Sequence, residues 1–239
     1  MSGHSKWNNI KRKKGKTDAA RAKVFTKIGK EMAVAIRAGG PNPVSNSKLR
    51  ELISKAKSLN VPNDNIERAI KKYKDTDVIY EEITYEGYGP GGVAVIVQTA
   101  TDSRNRTAGD VRHYFDKCGG NMGVSGCVAF MFQDMGLITI DDEDEEVDED
   151  ALMEAALEAG AADFKSEDNV YEIYTEPDDL EAVAESLRGA GYTLAGAEVT
   201  KVPSTYVSLD EETAENMEKL LDLLDDNDDV TNVYHNWES

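Results

Sequence analysis

Around Asp75 the apolar pattern of the chain changes period, and this change limits the fold more than any other feature of the sequence. Before it, Phe25, Ile28, Met32 and Ile36 recur at helical spacing up to the stop Gly39-Gly40-Pro41. Leu49, Leu52, Ile53 and Ala56 form a second stripe ending near Asn60 and Pro62, and Ile66, Ala69, Ile70 and Tyr73 a third. Asp64, with Glu67 three residues on, reads as the N-cap and capping box of that third helix. Three short amphipathic helices bury their stripes against one another, so residues 17–74 are expected to form a small bundle.

After Asp75 short strands alternate with helices. "VIYEEITYEG" and "GGVAVIVQTA" read as strands joined by a Gly/Pro loop, a helix covers about residues 106–118, and the apolar "CVAFMF" reads as the next strand. "GLITI" then opens a series with a helix through Leu152, Met153, Ala156 and Leu157, and the strand "NVYEIYT" follows. A helix beginning at Pro177 and a strand through Val199 and Val202 close that series. Residues 134–203 are read as β-α-β-β-α-β, the ferredoxin-like order, complete in itself and needing one strand beyond the three named. The segment before reads β-β-α-β, and the helix of Met217, Leu220, Leu221 and Leu224 with the strand "VTNVYHNW" supplies its missing α-β. The expected fold is α+β: an N-terminal three-helix bundle followed by two ferredoxin-like α/β modules, one inserted in the other. Its expected domains are 1–77, 78–133 with 204–239, and the inserted 134–203.

Charge follows the same boundary. Through Lys74 the chain carries 19 Lys and Arg against 5 Asp and Glu; the rest carries 8 against 41, for a net charge of −19. Separation of sign along a chain points to a nucleic-acid or anionic-membrane surface. No stretch approaches the roughly 18 apolar residues of a membrane span, and no apolar segment follows the basic start as a secretory signal requires. Cys118 and Cys127 make no C-x-x-C pair. A reducing, cytoplasmic setting is expected.

The opening "SGHSKWNNIKRKKGK" is the strongest candidate site. Lys6, Lys11, Arg12, Lys13, Lys14 and Lys16 lie close enough to neutralise several phosphates and release their counterions. Trp7 and Asn8 suit stacking on an unpaired base and reading its edge, although Trp7 also suits pinning the arm to the bundle. Such a run also suits a solvated tail or a nuclear-import signal. Arg21, Lys23, Lys27, Lys30, Lys48, Arg50, Lys55, Lys57, Arg68, Lys71 and Lys72 lie off the apolar stripes, so the outer surface of the bundle is expected to be basic. A second candidate is "DSRNRT", where Arg104 and Arg106 stand at a strand-to-helix junction. Helix-start donors and guanidinium forks suit a phosphate, and pairing with nearby carboxylates is the equal alternative.

Other motifs point away from catalysis. "GYGPGG" joins two strands and lacks a following helix or Gly-Lys-Ser/Thr, so it reads as a turn and not a nucleotide loop. "GGNMGVSG" reads as a loop able to approach RNA backbone or as a plain helix exit. His4, His113 and His235 with the two cysteines match no zinc spacing. The acidic run "DDEDEEVDED" lacks the glycine-centred spacing of a calcium loop and reads as a solvated loop and helix start. No metal, cofactor, small-molecule substrate or membrane partner is expected, and no catalytic residue is assigned.

The segments "GHSKWNNIKRKKGKTDAARAKVFTKI", "NDNIERAIKK", "YEGYGPGGVAVIV", "DSRNRTAGDVRH", "GGNMGVSGCVAFMF" and "VYHNW" together resemble the YebC family. That resemblance implies a helical bundle with two α/β modules and a cytoplasmic protein named a probable transcriptional regulator. Mitochondrial relatives are translational activators of cytochrome c oxidase, and a start of the resemblance within three residues of Met1 favours a bacterial member over one with a mitochondrial leader. The expected function is therefore a non-catalytic nucleic-acid-binding regulator acting on DNA. The alternative is a ribosome-associated translation factor that binds ribosomal RNA and assists elongation at proline-rich sequences; a phosphate-transfer enzyme ranks third. Replacing Lys11, Arg12, Lys13, Lys14 and Lys16 by Gln should reduce the slope of log affinity against log salt by roughly 4 to 5 on duplex DNA. An unchanged slope in a salt titration would move the grip from the head to the helices.

Overall fold

The structure, a computed structural model, describes residues 18–58, 61–142, 147–167 and 169–238, with side chains from Lys23 onward apart from that of Ser58. Helix α1 spans Asp18–Gly39, α2 Ser47–Ser58 and α3 Asn63–Lys74. Their stripes meet as the sequence requires: Ile28, Met32, Leu49, Leu52, Ala56, Ile66 and Ala69 form one buried cluster. Asn46 joins two helix ends. Its Oδ1 accepts the Leu49 N–H at 3.0 Å and its Nδ2 donates to the carbonyls of Ala35 and Gly40, each at 2.8 Å, so caps at the end of α1 and the start of α2 share one buried side chain. The capping box expected at Asp64 is absent. The carbonyl of Pro62 takes the first bonds, from Asn65 and Ile66, so α3 starts earlier and Asp64 lies inside its first turn, beside the positive end of the helix.

Strands β1 (Glu81–Tyr88) and β2 (Ala94–Thr101) lead to α4 (Arg104–Lys117) and the short β3 (Asn121–Met122). Next come β4 (Phe132–Asp141), α5 (Glu149–Ala159), β5 (Asp163–Glu167), β6 (Val170–Thr175), α6 (Leu180–Gly189) and β7 (Gly196–Pro203). The chain finishes with β8 (Val207–Ser208), α7 (Glu211–Asp226), β9 (Val230–His235) and β10 (Trp237–Glu238). "GYGPGG" is a turn: a single 3-10 turn, Pro90–Gly92, connects β1 to β2. Gly91 has φ +67°, and a Cβ there would strike Leu209. Pro177 opens a 3-10 turn, Pro177–Asp179, ahead of α6.

The chain divides into two compact units, residues 1–132 with 203–239, and residues 133–202. In the larger, the sheet runs β3-β1-β2-β9 with antiparallel neighbours throughout. One face carries Val93, Val95 and Val97 against Val111 and Phe115 of α4 and Met217, Leu220 and Leu224 of α7. The other carries Ala94 and Ile96, packed with Val128 and, less deeply, with Cys127, Met131 and Phe132. The expected strand "CVAFMF" is instead a loop with a 3-10 turn at Ala129–Met131, and Asn121–Met122 is the edge strand. The reason is a side chain: the buried Glu86 carboxylate accepts the N–H groups of Gly126, Val128 and Ala129 at 2.7, 2.9 and 2.8 Å, which removes those donors from any ladder.

The smaller unit has the strand order β5-β6-β4-β7, which is the order a β-α-β-β-α-β chain takes in a ferredoxin-like sheet. Ile138, Ile140, Tyr171 and Ile173 on one face meet Leu152 and Ala156 of α5 and Val183, Ala184 and Leu187 of α6. Asp148 caps α5 by accepting the Ala151 N–H at 3.1 Å, so the last part of the acidic run is a helix start; residues 143–146 lie outside the described residues. Phe115 is fully buried between α4 and its sheet. Phe115→Ala should cost about 3–5 kcal/mol, read as a lowered urea midpoint of unfolding with the slope unchanged.

Candidate nucleic-acid interface

The bundle meets the sheet through charge. Lys23, Lys27 and Lys30, at i, i+4 and i+7, share one face of α1. That face addresses the end of α7 and the turn that follows. The Lys23 ammonium pairs with Asp226 at 3.0 Å; Lys27 donates to the Asp225 carbonyl at 2.6 Å and its carboxylate at 3.3 Å. Lys30 donates to the Asp228 carbonyl at 2.9 Å and to the Asp229 carboxylate at 2.6 Å. The next residue of α1, Glu31, lies 3.8 Å from Lys55 of α2 and accepts from Asn232 of β9 at 3.4 Å. These lysines were expected on the outer surface of the bundle. They face the sheet because α7 ends in Asp225 and Asp226 with no basic residue in its last turn. Carboxylates there add to the negative end of the helix dipole and need cations from elsewhere.

Asp229 is the deepest point of this joint, with a side chain 6% exposed. Besides Lys30 it receives Arg106 Nη2 at 2.7 Å, Thr107 Oγ1 at 2.8 Å and Thr101 Oγ1 at 3.1 Å. Burial works against the charged form, but the hydrogen bonds from Lys30, Arg106 and Thr107 outweigh it and hold the carboxyl at about 2. Thr101, Arg106 and Thr107 flank the start of α4, where the helix dipole also favours an anion. The "DSRNRT" segment therefore does receive an anion at its helix start, and that anion is the chain's own carboxylate. Arg106 also pairs with Asp102 at 2.7 Å, and Arg104 makes an exposed pair with Glu81 at 3.1 Å. Of the two readings of these arginines, the geometry matches ion pairing.

The expected head residues Lys6, Trp7, Asn8, Lys11, Arg12, Lys13, Lys14 and Lys16 lie outside the described residues, as does the side chain of Arg21. What is described of the bundle's exposed basic surface lies mainly on α2 and α3. Arg50 and Lys57 are seven residues apart on α2; Arg68, Lys71 and Lys72 occupy i, i+3 and i+4 on α3, and all five are exposed. Arg68 donates to Asn65 at 2.6 Å, and Lys72 lies over the Tyr73 ring at 5.1 Å. Among the described residues no group that could hold a metal ion is present, and no helix is long and apolar enough to cross a membrane.

"GGNMGVSG" begins as a helix exit. Gly119 has φ +83°, and Gly120 donates to Phe115 at 2.8 Å while Gly119 donates to Asp116 at 3.3 Å, the paired bonds of a Schellman end. The rest, together with the "CVAFMF" run that follows, is fastened by Glu86 and by Tyr88, whose hydroxyl donates to the Cys127 carbonyl at 3.2 Å, and it leaves Val124 and Phe130 exposed. Sequence reasoning missed Glu86 and Asp229. A signal existed for Asp229: the run "DLLDDNDD" places acidic residues at a helix end, where local electrostatics oppose them. Glu86 gave none, since one carboxylate in a strand is ordinary.

Asp229→Asn should destabilise the chain by about 3 kcal/mol, because Lys30 loses the counter-charge of a buried pair. The sign with pH follows from a depressed carboxyl. Asp229 stabilises the fold above the unfolded value of 3.8, and this contribution is lost as pH falls toward about 2. Urea midpoints measured across that range should therefore fall less steeply in the variant than in the parent.

Comparison with known proteins agrees with this architecture. The family model described as the TACO1/YebC protein N-terminal domain matches residues 5–76, and that of the TACO1/YebC second and third domain matches residues 80–237. A probable transcriptional regulatory protein of Clostridium novyi is 56% identical over 240 residues, covering 100% of this chain and 97% of its own. One of Ruminiclostridium cellulolyticum is 58% identical over 241 residues with the same coverage. The crystal structure of a conserved hypothetical protein from Aquifex aeolicus is 47% identical, with a TM-score of 0.82 over 93% of this chain and 92% of that one. With two family models running from residue 5 to residue 237 and such identity along the whole length, the chain belongs to the TACO1/YebC family.

Proposed function

We propose that this protein is a non-catalytic, cytoplasmic regulator of gene expression that binds nucleic acid, with DNA at a regulated promoter as its target. The observation that carries the reading is the distribution of cations after internal pairing. The row on α1 is consumed by carboxylates, whereas Arg50, Lys57, Arg68, Lys71 and Lys72 stay exposed on α2 and α3, on the unit that also carries the basic head. Phosphate neutralised by such a surface supplies sequence-independent affinity. The names of relatives as probable transcriptional regulatory proteins support regulation without chemistry. A division of the larger unit near residue 77 belongs to the same proposal, supported by apolar clusters that are separate in bundle and sheet.

A second reading is a translation factor on the ribosome. The 41 acidic residues beyond Lys74 favour a target offering basic protein as well as phosphate. Lys57→Gln with Arg68→Gln and Lys71→Gln should weaken binding to a 20-base-pair duplex and lower its salt slope by roughly 2 to 3. Crosslinking in cells followed by sequencing separates the targets. Recovery of defined promoter DNA supports the first reading, recovery of ribosomal RNA replaces it with the second, and an unchanged salt slope removes α2 and α3 from the interface.

A further inference from the structure

We infer that the joint between α1 and the end of α7 is a releasable electrostatic clasp, in which the carboxylates of residues 225–229 occupy a lysine row that nucleic-acid phosphate can take over. The inference rests on the proposed nucleic-acid function and adds its regulation.

Three observations carry it. First, the joint is polar. The bundle cluster, from Ile28 to Ala69, contains no side chain of the sheet, and neither sheet cluster contains one of the bundle, among the described residues. What crosses instead are ammonium, carboxylate, amide and carbonyl groups: Lys23, Lys27, Lys30, Glu31 and Lys55 from one side, Asp225, Asp226, Asp228, Asp229 and Asn232 from the other. Interfaces of this character exchange partners more readily than apolar ones, since opening them exposes little hydrocarbon and salt screens their attraction.

Second, the acidic side presents the chemistry of a phosphate chain. Carboxylate oxygens of Asp225, Asp226 and Asp229 and carbonyl oxygens of Asp225 and Asp228 meet three successive lysines 2.6 to 3.3 Å away, at the negative end of a helix dipole. A backbone of phosphates offers the same row of anionic acceptors.

Third, the clasp is graded. Lys23 and Asp226 have side chains 30% and 82% exposed, Lys27 and Asp225 9% and 36%, and Lys30 and Asp229 13% and 6%. An exposed pair is worth at most about 1 kcal/mol, so the outer contact opens before the inner one, and the inner one keeps the bundle tethered. The lysines nearest the open end are also those nearest in sequence to the basic head. Nucleic acid gripped there meets Lys23 first and Lys27 next, each gain set against the loss of a carboxylate partner. The clasp thereby lowers affinity for arbitrary phosphate and reserves the full row for ligands that the rest of the interface already holds.

The test uses the full chain, a 20-base-pair duplex DNA of mixed sequence and a 20-nucleotide RNA. Asp225→Asn with Asp226→Asn should tighten binding to at least one probe by about three- to tenfold near physiological salt and steepen its salt slope by roughly 1 to 2. Glu215→Gln with Glu218→Gln changes net charge equally on the exposed side of the same helix and should give a clearly smaller gain. Lys23→Gln with Lys27→Gln, added to the Asp225 and Asp226 variant, should abolish the gain. The clasp is overturned if the Asp225 and Asp226 variant binds like the parent, if the Glu215 and Glu218 control tightens binding equally, or if the added lysine substitutions leave the gain intact. A parent and an Asp225 and Asp226 variant that both fail to bind either probe overturn the functional reading itself, and the clasp with it.

Discussion

The carboxylate of Asp229 gathers hydrogen bonds from Lys30 in the bundle, Thr101 at the end of β2, and Arg106 and Thr107 in the first turn of α4. Three stretches far apart in sequence, at Lys30, at Thr101–Thr107 and at Asp229 itself, are fixed by one anion. Its backbone contributes as well: the Asp229 carbonyl accepts the Ala100 N–H at 2.8 Å, and its own N–H donates to Asn227 Oδ1 at 2.8 Å, so the turn before β9 cannot move without disturbing the sheet edge. A buried charge is tolerated only when every lone pair finds a donor, and here the donors are two cations and two hydroxyls. The larger unit is thereby held by charge at this joint and under the Glu86 loop, and by apolar packing within its clusters.

That division of labour uses part of the charge asymmetry of the chain. Apolar clusters hold the bundle, the outer sheet and the inserted module each within itself. Between bundle and sheet the attraction is ionic, between a segment rich in lysine and a helix end rich in aspartate. Part of the positive charge that suggests nucleic acid is therefore spent inside the protein, and among the described residues the exposed remainder lies mainly on α2 and α3.

Much of the architecture was legible in the sequence because it is local. Stripes at i, i+3, i+4 and i+7 specify amphipathic helices wherever they pack, and the β-α-β-β-α-β series of the inserted module carries its strand order with it. Where local reading fails, a distant side chain intervenes. "CVAFMF" has the composition of a strand, yet Glu86, some forty residues earlier, takes its backbone donors. Asp64 has the spacing of a cap, yet the carbonyl of Pro62 has already started the helix. For the candidate site, composition identified the right residue types and could not say which cations were already occupied.

The sequence by itself determined most of the elements, the separate apolar cores and the segregation of charge, since these follow from residue type and short-range spacing. Only the tertiary structure decided that Lys23, Lys27 and Lys30 face inward, that Arg106 holds a carboxylate, and that Glu86 turns an apolar strand-like run into a loop. Each of these depends on which charged groups, separated by tens to hundreds of residues, the packing of the cores brings within hydrogen-bond distance. Electrostatic pairing over such separations has no periodicity in the chain, and the distances exist only once the helices and sheets have met.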